Sequence, residues 1–140
     1  MVVAMMMLGI AVTWTDWTRW VIPNRLLAIA AIGFLWWRFF GHGIWVGLAG
    51  GILLGGIGLL GSVLSRDSLG MGDVKYLAVL GLALGPSIGL MCLMLASTAG
   101  VLFATARSVV KRVPLNRAFP FGPFLAAASV ASAIFSSHLG

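Results

Sequence analysis

The chain contains three acidic residues among its 140, and two of them adjoin long apolar stretches. Asp16 lies near the end of the first apolar run, and Asp73 follows Gly70-Met71-Gly72 at the head of another. Asp67 lies in a polar segment and is interpreted as a solvated loop residue. A carboxylate at membrane depth costs free energy and is a candidate functional group. Asp16 and Asp73 are therefore the first candidates for chemistry.

Two carboxylates held close together do not both ionise at neutral pH, so one keeps its proton. The ionised partner takes a proton from water, which attacks a peptide carbonyl. The protonated partner donates to the developing oxyanion and then to the leaving amine. The glycines before Asp73 would leave room for an extended peptide. Such a pair hydrolyses an amide without a metal ion or another cofactor.

The same two residues also have simpler interpretations. Asp73 at the start of a helix would interact with free N–H groups and the helix dipole. Asp16 would pair with Arg19, three residues on along the same helix face. A proton relay in a small transporter or channel is a further possibility. Spacing alone leaves all of these open.

Composition indicates a membrane protein. Hydrophobic residues make up 61% of the chain, charged residues 9%, and the mean hydropathy is +1.09. A water-soluble surface needs more polar material than this. The net charge of +6 comes from basic residues between the apolar runs, as in topology determinants, so no nucleic-acid partner is predicted. With one cysteine, Cys92, and no histidine near an acid, no metal site is expected.

Six apolar runs predict an all-α, polytopic bundle of six transmembrane helices, forming a single domain over residues 1–140. The third run has glycines at every fourth position, Gly47, Gly51 and Gly55, which let helices approach closely and suggest a central position. The runs are Val2 to Val21, Leu26 to Phe40, Ile44 to Leu64, Val74 to Leu84, Ser87 to Ala106 and Phe121 to Ser137.

The basic residues predict the orientation of this bundle. Eight of the nine flank the first, third and fifth connections between runs, whereas the second connection has only Arg38. By the positive-inside rule the odd connections are cytoplasmic. Both termini then lie outside, and both candidate aspartates lie toward the cytoplasm. The basic segment 107–117 is expected to attract anionic lipid.

Depth follows from helical rise. Val74 to Leu84 spans about 16 Å against a hydrocarbon core of about 30 Å, which places Asp73 about 10 Å inside the cytoplasmic face. Asp16 precedes Pro23 by seven residues and comes out at about the same depth. The backbone of Gly70 to Gly72, if irregular, must line a protein-walled or water-filled cavity.

Three stretches resemble the motifs of the type IV prepilin peptidases, membrane aspartyl proteases of the GxGD type. DWTRWVIPN, from Asp16 to Asn24, is similar to the first motif. GMGDVKYLAVLGLALG, from Gly70 to Gly85, is similar to the second, and PFGPFLA, from Pro120 to Ala126, to the motif that opens the last span. A lone GxGD would be a weak signal, whereas three motifs in order on six apolar runs are specific.

The resemblance implies that Asp16 and Asp73 are the catalytic pair and that the substrates are pilin-like precursors. Their short basic leader would be cut on the cytoplasmic side of a prokaryotic inner membrane, just before a hydrophobic helix. The chain begins at the first protease span and lacks paired cysteines, so no methyltransferase activity is expected. By the same resemblance, the active-site loop comprises Gly70, Gly72 and Lys75, and the motif-supporting residues are Pro23, Asn24, Pro120, Gly122 and Pro123.

Two other functional classes compete with a protease. A proton-coupled transporter would use Asp16 and Asp73 as a relay, but no acid continues such a relay into the outer halves of the runs. An assembly factor that binds pilins without cutting them would tolerate neutral residues at both positions. Neither alternative accounts for three motifs in order.

Overall fold

The computed structural model describes residues 2–19, 23–41, 43–64, 71–112 and 122–139, and for Asp16 the backbone alone. All regular structure within these ranges is α-helical, which confirms the all-α part of the predicted fold class for the residues described. Each helix coincides with one apolar run of the sequence. The helices are α1 Val2–Arg19, α2 Asn24–Phe39, α3 Ile44–Leu64, α4 Met71–Leu84, α5 Pro86–Lys111 and α6 Gly122–Leu139.

Helices α3 and α4 pack antiparallel along a face of small residues. Gly47 lies opposite Leu82 at one end of this face, and Gly58 lies opposite Val74 at the other. In the middle, Gly50 and Gly81 are so close that a Cβ on either would overlap the carbonyl oxygen of the other. The predicted close approach of the glycine-rich helix is therefore confirmed.

The centre of the bundle is α4, not α3. Eight of the fourteen α4 residues are buried, and this helix contacts α2, α3, α5 and α6. Helix α3 turns its glycine face to α4 and leaves most of its other face exposed. The expectation of a central α3 was wrong because small residues indicate close packing without indicating on how many sides it occurs.

A single non-helical residue, Gly85, joins α4 to α5. Its φ of +83° is one that residues with a side chain rarely adopt, and Pro86 begins the next helix. The carbonyl groups that end α4 are bound by α2, since Arg38 donates from Nε to Leu82 O at 3.2 Å and from Nη2 to Ala83 O at 2.9 Å. The turn therefore terminates α4 without a solvent loop.

Helix α1 packs mainly against α6, and α6 in turn packs against α5. Met5, Leu8 and Val12 form the buried stripe of α1 at helical spacing. Gly9 lies against Ala126, where a Cβ on the glycine would come within 3.2 Å of the alanine Cβ. The first and last helices thus form one closely packed pair beside α4.

The outer surface of the bundle is apolar. Large side chains such as Ile29, Ile52 and Val101 are more than 60% exposed, as expected where lipid rather than water is the solvent. Two helices, Ile44–Leu64 and Pro86–Lys111, are long and apolar enough to cross a membrane. The described part of the chain is therefore an all-α bundle with an apolar surface that is typical of a membrane protein, and six complete crossings remain a prediction.

Candidate active site

Asp73 is the third residue of α4 and lies half-buried in its first turn. Gly72 belongs to the same turn, so the backbone there is helical, and the expected irregular segment does not include it. A carboxylate in this position is favoured by the free N–H groups and the positive end of the helix dipole. Gly70 lies outside the described residues, as does Asp67. The helix start thus presents one acid at one end of the bundle.

Asp16 lies in the last turn of α1. It comes four residues after buried Val12, and its backbone position therefore continues the stripe that faces the bundle. The connection from α1 leads to Pro23 and the start of α2. Asp16 and the start of α2 therefore belong to the same end of the bundle.

Lys75 and Asn24 connect the two aspartate-bearing segments. Lys75 Nζ donates to Asn24 Oδ1 over 2.9 Å, on the exposed edge of the site. Asn24 is the first residue of α2, and Pro23 O accepts from Leu26 N at 3.1 Å to begin the helix. The first turn of α4 is thereby held at the end of the bundle where α1 ends. Both aspartates are therefore at one end of the bundle. The bond links α4 to α2, which follows α1 in the chain, and α6 contacts both α1 and α4.

The third motif forms the start of α6. Gly122 and Pro123 are the first two residues of this helix, where a proline fits because its missing N–H would have no partner in the helix. Phe124 packs on Phe103 of α5 with ring centroids 5.3 Å apart. Pro120 lies outside the described residues. The described motif residues therefore help to position α6 between α1 and α5.

A cluster of buried polar side chains below Asp73 was missed in the sequence. Tyr76, Cys92, Ser129 and Ser132 are each fully buried between α4, α5 and α6. Ser129 Oγ donates to Ala126 O at 2.8 Å. The Tyr76 hydroxyl lies beside Ser129 and the Ser132 hydroxyl beside Cys92, without a hydrogen bond of good geometry among the described residues. The chain has one tyrosine, and it lies three residues after Asp73, which is a spacing that places both on one helix face.

An apolar groove of about 710 Å³ runs along the membrane-facing side of α1 and α6. Trp14 and Trp17 form its wall on α1, and Trp20 lies outside the described residues. Its α6 side carries small residues such as Ala126 and Ala127. This groove is called the α1/α6 groove below.

Comparisons with known proteins identify a family for the chain. Residues 3–105 match the type IV leader peptidase family. Two curated relatives, the prepilin leader peptidase/N-methyltransferase of Aeromonas salmonicida and that of its strain A449, are each 28% identical to this chain over 126 residues. The match covers 85% of this chain and 43% of each relative. No solved structure matches the chain.

The fold and the site define a helical membrane protein with one acid at the head of a central helix and a second at the end of its first helix. The chain belongs to the type IV leader peptidase family. It spans less than half the length of the curated relatives that it matches. The transporter interpretation receives no support from these comparisons.

Proposed function

We propose that this chain is an aspartic endopeptidase that removes the leader from pilin-like precursors. The observation that carries the proposal is the placement of Asp73 in the first turn of α4, with Lys75 tying that turn to Asn24 near the end of the Asp16 helix. Family membership supports the peptidase class, and the names of the curated relatives support prepilins as substrates. The proposal concerns the peptidase activity alone, because those relatives are named for two activities.

In the proposed mechanism Asp16 and Asp73 share one proton. The ionised carboxylate removes a proton from a water molecule as its oxygen attacks the scissile carbonyl carbon. The protonated carboxyl donates its proton to the carbonyl oxygen and is then ionised. As the tetrahedral intermediate collapses and the C–N bond breaks, the first carboxyl gives the proton that it took from water to the leaving amine. The second carboxylate takes back a proton from a hydroxyl of the intermediate, which leaves the new carboxylic acid and restores the shared proton. The positive end of the α4 dipole would stabilise negative charge on Asp73 and on the nearby oxyanion.

The proposed setting is a six-span bundle in the inner membrane of a prokaryote, with the site on the cytoplasmic side. The distribution of basic residues supports this orientation, since Arg107 and Lys111 end α5 at the same side as the odd connections. The basic leader of a precursor would lie on the cytoplasmic side. The scissile bond, which precedes the precursor's apolar helix, would then lie near Asp16 and Asp73. Gly70, Gly72 and Pro120 remain predicted supporting residues.

Cleavage of a pilin-like precursor by the purified protein in liposomes tests the proposal. We expect Asp16→Asn and Asp73→Asn each to abolish cleavage while the thermal unfolding temperature stays close to that of the wild type. Asp67→Asn is the matched control and should cleave normally. Cleavage should persist in a metal chelator, because two aspartates suffice for the chemistry.

The result that would overturn the proposal is full cleavage by either the Asp16 or the Asp73 variant. Failure of the wild type to cleave several precursors, each with a basic leader before an apolar helix, would equally remove the proposed substrate class. Loss of cleavage in Asp67→Asn alone would reassign the chemistry to the polar segment before α4.

A further inference from the structure

We propose that the α1/α6 groove binds the hydrophobic helix of the precursor that follows the scissile bond. This inference rests on the proposed peptidase function and adds where the substrate sits. The occupant it commits to is the substrate helix, rather than the leader, a lipid chain or a second copy of this protein.

The end of the groove adjoins the candidate catalytic residue. Trp17 and Thr18 line this end, one and two residues beyond Asp16 along α1. Pro123, at the start of α6, lines it from the other side. Two of the three sequence motifs therefore meet at this end. A chain cut beside Asp16 would pass directly into the groove.

The chemistry of the lining selects an apolar segment. None of the lining residues is charged, and the polar side-chain groups among them are the hydroxyls of Thr13 and Thr18 and the indole N–H groups of Trp14 and Trp17, on the half of the lining nearer Asp16. A basic leader would lose hydration there without gaining a counter-charge. An apolar helix would instead replace lipid contacts with packing against protein. The first N–H groups of a helix have no partner within it, and here they could bind the hydroxyls of Thr13 and Thr18.

The dimensions also suit a helix. The lining of α1 runs from Met6 to Thr18, about 18 Å at 1.5 Å per residue, which is about three helical turns. On the α6 side the lining residues are small, such as Ala127, and Gly9 lies against Ala126 at the line where the helices meet. Small residues of this kind permit close helix packing within a membrane. The large tryptophans on one side and alanines on the other leave an asymmetric channel open toward lipid.

Filling the groove tests the inference kinetically. Ala127 is exposed within the groove, and Ala28 is an exposed alanine at a similar distance from the start of α2. We expect Ala127→Trp to raise KM for the full-length precursor at least tenfold with little change in kcat, since the chemistry is untouched. Ala28→Trp is the matched control and should keep the wild-type KM. Equal KM values for both variants and the wild type would overturn the inference.

Crosslinking tests it without relying on the folding of a tryptophan variant. Ala127→Cys and Ala28→Cys each add one exposed thiol, while the native Cys92 is fully buried. A precursor with a single cysteine in its hydrophobic helix should crosslink to Ala127→Cys and not to Ala28→Cys. Crosslinking at both positions, or at neither, would overturn the inference. The inference would also be overturned if Ala127→Cys crosslinked two copies of the enzyme and that crosslink persisted when precursor was added.

The two proposals fail in distinguishable ways. If the wild type cleaves no precursor, the proposed peptidase function fails. If the wild type cleaves, but Ala127→Trp cleaves equally well and Ala127→Cys forms no crosslink to the precursor, the groove inference alone fails.

Discussion

Lys75 Nζ donates to Asn24 Oδ1 over 2.9 Å, which joins two motifs whose residues lie 51 positions apart in the chain. The bond ties the first turn of α4, which carries Asp73, to the first residue of α2, which follows the segment after Asp16. Lys75, which the family resemblance placed in the active-site loop, is thus bonded to a neutral amide. Its structural effect is to hold the start of α4 in place.

Breaking this bond should lower activity more than stability. Lys75→Met and Asn24→Ala should each reduce kcat/KM about fivefold to tenfold, equivalent to about 1 kcal/mol. The loss of stability should be smaller, because the bond is exposed to solvent. Cleavage kinetics and thermal unfolding of the two variants and of the double variant measure both quantities.

In the double variant the losses should not add, since either substitution already removes the bond. Lys111→Met, at the far end of α5, is the control and should cleave normally. Additive losses would mean that the two residues act independently.

Because Gly50 and Gly81 are in contact, α3 should not tolerate even one added methyl group at position 50. Gly50→Ala should lower the free energy of unfolding by about 3 kcal/mol, because the added Cβ meets backbone rather than a movable side chain. Gly56, on the same helix, has nothing within 4 Å of the corresponding position. Gly56→Ala should therefore be neutral or stabilise the helix by up to about 1 kcal/mol. Denaturant titration in detergent compares them, and equal stabilities would contradict the close crossing.

Arg38 should matter for stability and not for chemistry. Arg38→Gln removes charged hydrogen bonds to two carbonyl groups at the end of α4 and should lower the free energy of unfolding by about 2 kcal/mol. Asp73 lies at the other end of this helix, about 16 Å away by helical rise, so kcat per folded molecule should not change. Arg112→Gln, at the exposed end of α5, serves as control. A fully folded but inactive Arg38→Gln would contradict this assignment.

The hydroxyl of Tyr76 should be dispensable for folding. It is buried beside Ser129 without a hydrogen bond of good geometry among the described residues, and burial of a poorly paired hydroxyl costs about 1–3 kcal/mol. Tyr76→Phe should therefore leave the unfolding temperature unchanged or raise it, as should Ser132→Ala for the same reason. Tyr76→Ala, which removes the ring as well, should lose about 3–5 kcal/mol. A marked fall in unfolding temperature for Tyr76→Phe would show that the hydroxyl is paired, for example with a buried water.

The helices were predictable from hydropathy, but several of their ends were not. Helix α3 has the predicted bounds, Ile44–Leu64, whereas α5 continues past Ala106 to Lys111. Hydropathy marks where lipid ends, and a helix can continue beyond that level into a polar medium with residues such as Arg107. Helix α4 begins at Met71, before the predicted Val74, because a glycine such as Gly72 is tolerated in a first turn.

The identities of the site residues were accessible from motifs, and their contacts were not. A pattern such as GMGDVK names Asp73 and Lys75 but contains no distance, so the bond to Asn24 had no signal in the sequence. Likewise, glycines at every fourth position predicted close packing of α3 without identifying α4 as the helix at the centre. The residue type of Trp14 and Trp17 indicates a membrane interface, whereas their place beside α6 depends on packing between the two ends of the chain.

The one-residue turn at Gly85 is the first of several contacts that fix α4, which carries Asp73. These contacts decide whether α4 or α1, which carries Asp16, is able to move. Helix α4 is fixed at that turn by Arg38, along its length by the crossing of Gly50 and Gly81, and at its start by Lys75. It has little freedom to slide or rotate without disrupting several of these contacts. Helix α1 is held mainly by α6 alone. Helix α6 is itself held by α5 and α4. In the proposed mechanism, a movement that brings Asp16 toward Asp73 around a substrate would therefore be a motion of α1 against a stationary α4.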